Sequence, residues 1–377
     1  MNILLSNSTD IFAGGEDYVL ILAKYLKQRG HTVWVSAQPE HLLLKKCEEA
    51  GIGTVPTLYA GMSRVFHVAS LLRNDLRKRS VDIVHSNANF DRTCAAIASA
   101  TSHVSHVASV HSAHSIQHNI THWLRNRWGI AHFIADAEAV KSVMMQEDGI
   151  PASKITVIPI GVENDSSEFQ AEARVRTRGA LNVADETLVI GNVARLVPFK
   201  GHQYLLQTIT EIVKSRKDVL FPIIGDGELQ EKLQQQARTL SIEQYVQFMG
   251  FRDNLNELYP AFDIYCHSSL ELAAEAFPLA ILRALAAGLP VVCTDVGGIG
   301  MMVEQGISGF LTRPEDPKAM AGALLDVIGN RELRASMGRA SFELFKKKFH
   351  ASAMAEKVER VYTQALQKRG LYRHETL

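Results

Sequence analysis

The sequence predicts an α/β protein of two domains, each built on a mainly parallel sheet. Short β-branched apolar runs alternate with longer amphipathic stretches along the 377 residues. A polar stretch over 164–186, rich in charges and Ser, interrupts the alternation once, and the same rhythm then restarts. Parallel strands are covered on both faces and read as continuous apolar runs between crossover helices. Six such runs, a polar linker and six more therefore argue for two layered α/β units.

In the first half the runs are 2–6, 32–36, 82–85, 106–111, 132–135 and 155–158, too short for helices. The clearest helix is 16–29, where Val19, Leu20, Leu22, Ala23 and Leu26 form an apolar stripe that Gly30 stops. In the second half the runs are 187–193, 219–224, 245–248, 263–266, 290–293 and 309–312. From about 333 to 370 the pattern is helical and strand-free. The domain boundaries read from this are 1–165 and 166–350, with a terminal segment over 351–377. Ligands of such sheets sit beyond the carboxyl ends of the strands, and a large one suits an interdomain cleft.

Composition excludes several classes. Forty basic residues balance forty acidic ones, and 1–165 carries 15 of each, so no net field recruits nucleic acid. Cys47, Cys94, Cys266 and Cys293 are far apart with no CxxC pair, which reads as reduced, buried thiols and not a structural zinc site. The N-terminus lacks a basic region and turns polar after five residues, unlike a signal peptide. Nowhere do 18 apolar residues run together as a membrane span would require. The expected location is the cytoplasm, with room for peripheral contact at the inner face of the cytoplasmic membrane.

Four segments could carry chemistry. Gly14-Gly15 follows the first strand and precedes a helix, where backbone N–H groups and the helix dipole favour an anion; a tight turn needing positive φ is the bland alternative. Arg195 and Lys200 stand five residues apart on a strand-end loop punctuated by Gly191, Pro198 and Gly201. An arginine fork and a mobile lysine charge suit a diphosphate. Glu275-Ala-Phe277-Pro278-Leu279 precedes a helix expected to run to Ala287, with Pro278 in its first turn and Gly288 at its end. Glu275 then lies beside free N–H donors, able to accept from sugar hydroxyls or simply to cap the helix. Gly297-Gly298 makes another anion-facing turn.

Further motifs recur in order along nearly the whole chain: Arg29-Gly30-His31-Thr32-Val33, Val81-Asp82-Ile83-Val84-His85, Ile158-Pro159-Ile160-Gly161-Val162, Gly225-Asp226-Gly227 and Ala287-Gly288-Leu289-Pro290-Val291-Val292. With Gly14-Gly15-Glu16-Asp17 and Ala194-Arg195-Leu196, the set resembles the group 1 glycosyltransferases (glycosyltransferase family 4). That resemblance implies the GT-B fold, two Rossmann-like domains facing across a cleft, with C-terminal helices crossing back to the N-terminal domain. It implies an acceptor side over 1–165, a donor side over 166–350, and retaining, metal-independent hexosyl transfer from a UDP- or GDP-sugar to a glycan or glycolipid. Leaving and attacking groups would share one face, the leaving phosphate accepting the acceptor's proton. No other cofactor is implied, and the expected setting is cell-surface polysaccharide or lipopolysaccharide biosynthesis. By the same resemblance His111 faces the donor sugar, Glu275 holds its hydroxyls, Gly15 brings an amide to phosphate or sugar, and Arg195 with Lys200 stabilises the leaving diphosphate. Phe277, Pro278, Leu279 and Arg283 complete the donor-binding set.

The chain departs from the family at one telling position. The signature is two glutamates eight positions apart, and counting from Glu275 lands on Arg283. The second glutamate accepts from both ribose hydroxyls in relatives, whereas arginine has donors only. The proline and glutamate expected after Gly-Gly-Ile are likewise replaced, by Gly300 and Met301. Three readings stay open: ribose bound another way, an unusual donor, or a weakly active or non-catalytic nucleotide-binding relative. An epimerase or a phosphorylase on the same fold is a further alternative.

Histidine distribution raises a rival. Eleven of the 15 histidines precede residue 133, and His111, His114, His118 and His122 are spaced so that one helix face would align them for zinc or copper. Against this, His111 ends a strand, and no Asp or Glu occurs from 113 to 135. The segment with Trp123, Arg125, Arg127 and Trp128 reads instead as an acceptor-side surface suited to an anionic or lipid-linked acceptor, or as an ordinary amphipathic helix.

Overall fold

A computed structural model describes residues 1–10, 14–59, 61–112, 114–117, 119–270 and 277–368. The chain divides into two units: Met1–Gly161 joined by the segment from Ala351 onward, and Val162–His350. The division falls a few residues before the boundary expected at 165. Val162 bridges to His350 and its N–H donates to the Phe349 carbonyl, so the chain enters and leaves the second unit at one point.

The first unit's described strands are β1 (Asn2–Ser6), β2 (Thr32–Ala37), β3 (Gly53–Pro56), β4 (Ile83–Ser86), β5 (Ser105–Val110), β6 (His132–Ala135) and β7 (Ile155–Val157). They form one sheet in the order β3-β2-β1-β4-β5-β6-β7, every pairing parallel. β4 and β5 are buried along their whole length, as helices on both faces require. The C-terminal helix Ala351–Lys368 packs on the helix Gly14–Gln28 and on β5. It buries Met354, Val358, Val361 and Tyr362, which recur on one face at three- and four-residue spacing.

The second unit holds β8 (Leu188–Val193), β9 (Val219–Ile224), β10 (Val246–Gly250), β11 (Ile264–His267), β12 (Val291–Thr294) and β13 (Gly309–Thr312). Their order is β10-β9-β8-β11-β12-β13, again all parallel. Strand order reverses between β1 and β4 in one sheet and between β8 and β11 in the other. Those switch points open crevices beyond the carboxyl ends of the strands, where ligands of such sheets bind.

Two elements differ from the sequence expectation. β3 went unrecognised because Gly53-Thr-Val-Pro56 offers one large apolar residue between a glycine and a proline. The polar stretch over 164–186 is not an open linker, since Ser167–Ala180 is a helix capped by the Ser166 hydroxyl. Its arginines are structural: Arg174 and the buried Arg178 both reach Asp263, and Arg178 also donates to the Ala184, Thr187 and Ala261 carbonyls.

Candidate active site

At the first switch point, β1 leads into a loop organised by Glu16. This carboxylate, buried in the first turn of Gly14–Gln28, accepts from Asn7 Nδ2 at 3.0 Å and from the Thr9 hydroxyl. The Thr9 N–H in turn donates to Asn7 Oδ1 at 2.9 Å. Gly15 lies beside it without a positive φ, so turn geometry does not explain the glycine. Among the described residues no atom lies within 4 Å of where its Cβ would stand. A first helical turn with open space over a half-buried glycine allows close approach of a ligand to the backbone.

Two strands along, β5 ends at Val110 and β6 at Ala135, which pair in register. His111 and Asp136 are the next residues on each, and Nδ1 of His111 lies 3.5 Å from Oδ2 of Asp136. That separation permits an ion pair but is long for a hydrogen bond. Tyr18 sets its ring edge against the imidazole, centroids 4.6 Å apart at 62°. Behind Tyr18 runs a buried relay: its hydroxyl lies 3.1 Å from Ser109 Oγ, which lies 2.8 Å from His85 Nε2, whose Nδ1 lies 2.6 Å from the Tyr362 hydroxyl. Burial pushes both phenols up and holds His85 well below the usual imidazole range, so the relay is neutral.

At the second switch point, β8 runs into Arg195 and the short turn Pro198–Lys200. Arg195 Cζ lies 5.9 Å and Lys200 Nζ 5.4 Å from the centroid of the Phe199 ring, which gathers the two cations on one aromatic. Gly201 then takes a φ of 66° and starts the helix His202–Ile212; a Cβ there would stand 2.0 Å from the Ser268 carbonyl oxygen, so only glycine fits. The loop is fixed to the exit of β11, because Ser268 Oγ donates to the Lys200 carbonyl and Leu270 N–H to the Phe199 carbonyl. From below, the Leu196 N–H donates to the Asp226 carbonyl within Gly225-Asp226-Gly227.

The segment leaving β11 continues into 271–276, so Glu275 lies outside the described residues, as does His118. Beyond it, Phe277 is buried with its ring 5.7 Å from that of Phe349. The helix is Leu279–Ala286, and Pro278 is its extended N-cap with φ −70° and ψ 113°, one position earlier than the first turn expected for it. Arg283, on that helix, lines a cavity of about 30 Å³ with Glu163, Asn164, Asp165, Asn256 and Tyr259. Burial pushes the Asp165 carboxyl up, while the Asn256 hydrogen bond and the Arg283 charge pull it down. Gly300 and Met301 lie in the turn Ile299–Met301, with Met301 exposed.

The histidine segment resolves into separate pieces: His114 is exposed, His122 is buried in the short helix Ile120–Leu124, and among the described residues no group of three or more His, Cys, Asp or Glu could hold a metal ion. Arg125, expected on an acceptor-facing surface, is instead 6% exposed and donates to Asn89 Oδ1, the Thr93 hydroxyl and the Ile116 carbonyl. Burial and the neighbouring Arg92 charge bring it down to about 9. Ile120 and Trp128, each 68% exposed, stand out with Trp123 and Leu124. All four cysteines are free and buried, their thiols pushed up by burial, Cys47, Cys94 and Cys266 to about 12. Among the described residues no helix is long and apolar enough to cross a membrane.

Sequence reasoning missed Phe199 and Asp136. Phe199 reads as a spacer between Pro and Lys, and Asp136 as a solitary acid after a strand; only the register of β5 and β6 brings it to His111.

Known proteins share this framework. The family model for glycosyl transferases group 1 matches residues 174–344, and that for Glycosyltransferase Family 4 matches 12–166. A D-inositol 3-phosphate glycosyltransferase of Corynebacterium jeikeium is 33% identical over 221 residues, 56% of this chain and 52% of that protein. The chain spans about half the length of the several such enzymes it matches. A UDP-Gal:alpha-D-GlcNAc-diphosphoundecaprenol alpha-1,3-galactosyltransferase of Escherichia coli is 26% identical over 293 residues, 74% of this chain and 75% of that one. The crystal structure of Anabaena Alr3699/HepE in complex with UDP-glucose has the same fold, with a TM-score of 0.81 at 22% identity over 97% of this chain and 100% of that one. Two adjoining family models thus take up the first and second units in turn, and the chain belongs to the group 1 glycosyltransferases of family 4, with the GT-B fold.

Proposed function

We propose that this chain is a retaining, metal-independent glycosyltransferase that moves a hexosyl group from a UDP- or GDP-sugar to a glycan or glycolipid acceptor. The observation that carries the reading is the pair of cations held on Phe199, in a loop hydrogen-bonded to the segment that leads into Glu275. Fixed positive charge at a strand-end loop stabilises a departing diphosphate without needing to reorganise. Arg195 and Lys200 take that role, Gly15 offers an amide with open space above it, and His111 and Glu275 orient donor-sugar hydroxyls. Phe277 and Pro278 set the start of the Leu279 helix at the same edge. The second unit binds donor and the first acceptor, and retention follows if the leaving phosphate takes the acceptor's proton on the face it departs from. The named relatives include one that uses UDP-galactose and a diphosphoundecaprenol acceptor. That supports surface-glycan assembly, with exposed Ile120, Trp123 and Trp128 and the nearby Arg127 providing peripheral contact at the inner membrane face.

Calorimetry with UDP, GDP and their sugars tests this. Each charged hydrogen bond is worth about 1.5–3 kcal/mol, so Arg195→Ala and Lys200→Ala weaken binding about tenfold or more. Phe199→Leu weakens it less, by about the 0.5–1 kcal/mol of an exposed cation–π contact. Unchanged affinity in both charge variants places the phosphates elsewhere. Product anomers read by NMR, with and without EDTA, test retention and metal independence.

A second reading is supported by Arg283, whose charge acts on Asp165 beside Glu163. A donor-only side chain whose charge acts on the Asp165 carboxyl fits a weakly active or non-catalytic nucleotide binder. Nucleotide binding without transfer to any acceptor, and without epimerisation of the donor, favours it.

A further inference from the structure

We propose that Asp136 is a positioning residue for His111, fixing the imidazole in the tautomer that carries its proton on Nδ1 and leaves Nε2 as an acceptor. This rests on the reading of His111 as a donor-facing side chain and adds the group that aims it.

Asp136 is 3% exposed, and among the described residues its Oδ1 has no hydrogen-bond partner. Neither His111 nitrogen has one either, and Nδ1 faces Oδ2 at 3.5 Å. A buried carboxylate without a bonded cation is disfavoured unless something nearby needs it. Among the described residues, the polar side chains around Tyr18 are engaged elsewhere. Tyr18, which packs on the ring, has its hydroxyl against Ser109. Ser109 Oγ also contacts His85, and both His85 nitrogens are engaged. Arg92 is turned to the Ser109 carbonyl. Asp136, at the matching position on the neighbouring strand, is the acceptor left over.

A carboxylate only accepts, so the nitrogen facing it must donate. Neutral imidazole has one N–H, and placing it on Nδ1 makes Nε2 the acceptor, able to accept a hydrogen bond from a sugar hydroxyl. Tyr18 fixes the plane of the ring, and Asp136 selects which ring edge, the one bearing Nδ1, faces β6. The gap of 3.5 Å closes to a hydrogen bond with a small rotation, as contacts of this kind do when substrate arrives.

The wild-type protein, labelled with 15N-histidine, gives the first measurement. Long-range proton–nitrogen correlation spectra at pH 7.5 report the tautomer of each ring, and His111→Gln identifies the His111 signals by their loss. The expected result is a His111 ring protonated on Nδ1. Asp136→Asn, whose amide can donate to Nδ1, shifts the signal toward the Nε2-protonated form. It also lowers kcat by about tenfold to a hundredfold, the scale of a misaligned group, while UDP affinity stays within about twofold because Asp136 lies in the other unit from Arg195 and Lys200. A wild-type ring protonated on Nε2 overturns the proposal, even if Asp136→Asn fails to fold. So does an Asp136→Asn protein with the wild-type tautomer and the wild-type kcat. Absence of sugar transfer with every donor overturns the proposed activity, and the tautomer measurement is read regardless.

Discussion

The hydroxyl of Tyr362 lies 2.6 Å from Nδ1 of His85, tying the C-terminal helix to the end of β4. Because Ser109 takes the other ring nitrogen, His85 must donate with one nitrogen and accept with the other. The contact therefore fixes a proton pattern as well as a distance, and it does so among side chains that are all buried. The relay ends at Tyr18, whose ring rests on His111, so a helix contributed from the far end of the chain supports a candidate site residue.

Tyr362→Phe removes one hydroxyl and leaves a buried ring nitrogen of His85 unpaired. An unmade buried hydrogen bond costs about 1–3 kcal/mol, and the variant should unfold at correspondingly lower urea concentration with an unchanged slope. A midpoint equal to wild type means that His85 finds another partner.

Acid should destabilise the protein before its carboxylates titrate. Burial holds His85 well below the usual imidazole range and brings His132 and His202 down to about 4. In the unfolded chain these imidazoles take up protons near pH 6.5, whereas the folded protein keeps them neutral. Between about pH 6.5 and 4 the unfolded state binds more protons, so stability falls as pH falls, by at most about 1.4 kcal/mol per pH unit for each group. Asp91, whose carboxyl burial raises, acts in the opposite sense at the lower end of this range. Urea midpoints at pH 7.5, 6 and 5 check the slope, and a flat profile refutes it.

Most strands were legible because both faces of a parallel sheet are covered, so β1, β5 and β9 stand out as apolar runs whatever surrounds them. β3 lacked that signal, having a proline and a glycine in four residues. Arg178 and Arg125 misled for one reason: a charged side chain reads as surface unless its partners are known. Those partners are backbone carbonyls, which no sequence displays, and side chains distant along the chain, Asp263 for Arg178 and Asn89 and Thr93 for Arg125. The cations at 195 and 200 were legible from punctuation by glycine and proline, whereas Phe199 and Asp136 needed three dimensions.

Arg178 supplies a direct check on the helix within the polar stretch. Arg178→Met keeps the volume but removes the donors to Asp263 and to the carbonyls of residues 184 and 187. Asp263 retains Arg174, so the loss should sit near the low end of the range for a broken buried pair, about 3 kcal/mol. Thermal unfolding followed by circular dichroism reads it. A change smaller than about 1 kcal/mol, within the spread of surface substitutions, would show that the segment behaves as a linker after all.

Arg283 tests how the nucleotide is held. Restoring a carboxylate by Arg283→Glu would, from sequence alone, re-create a contact to both ribose hydroxyls and tighten binding. The structure changes that expectation, because Glu163 and Asp165 line the same small cavity. A third carboxylate there meets like charge, and the Asp165 carboxyl, already raised by burial and by Glu163, loses the cation that opposes them. The single variant should therefore bind UDP no better than wild type. Adding Asp165→Asn relieves the repulsion while keeping a hydrogen-bonding side chain of the same shape. The double variant should tighten UDP binding about tenfold, which is 1.4 kcal/mol, and should bind 2′-deoxy-UDP more weakly than UDP, since the carboxylate then loses one of two donors. Calorimetry of the three proteins against both nucleotides separates the cases. If the single variant already tightens binding, Asp165 does not oppose a carboxylate at 283. If the double variant ignores the 2′-hydroxyl, the helix Leu279–Ala286 does not face the ribose, and Arg283 belongs with Asp165 as part of the structure of the second unit.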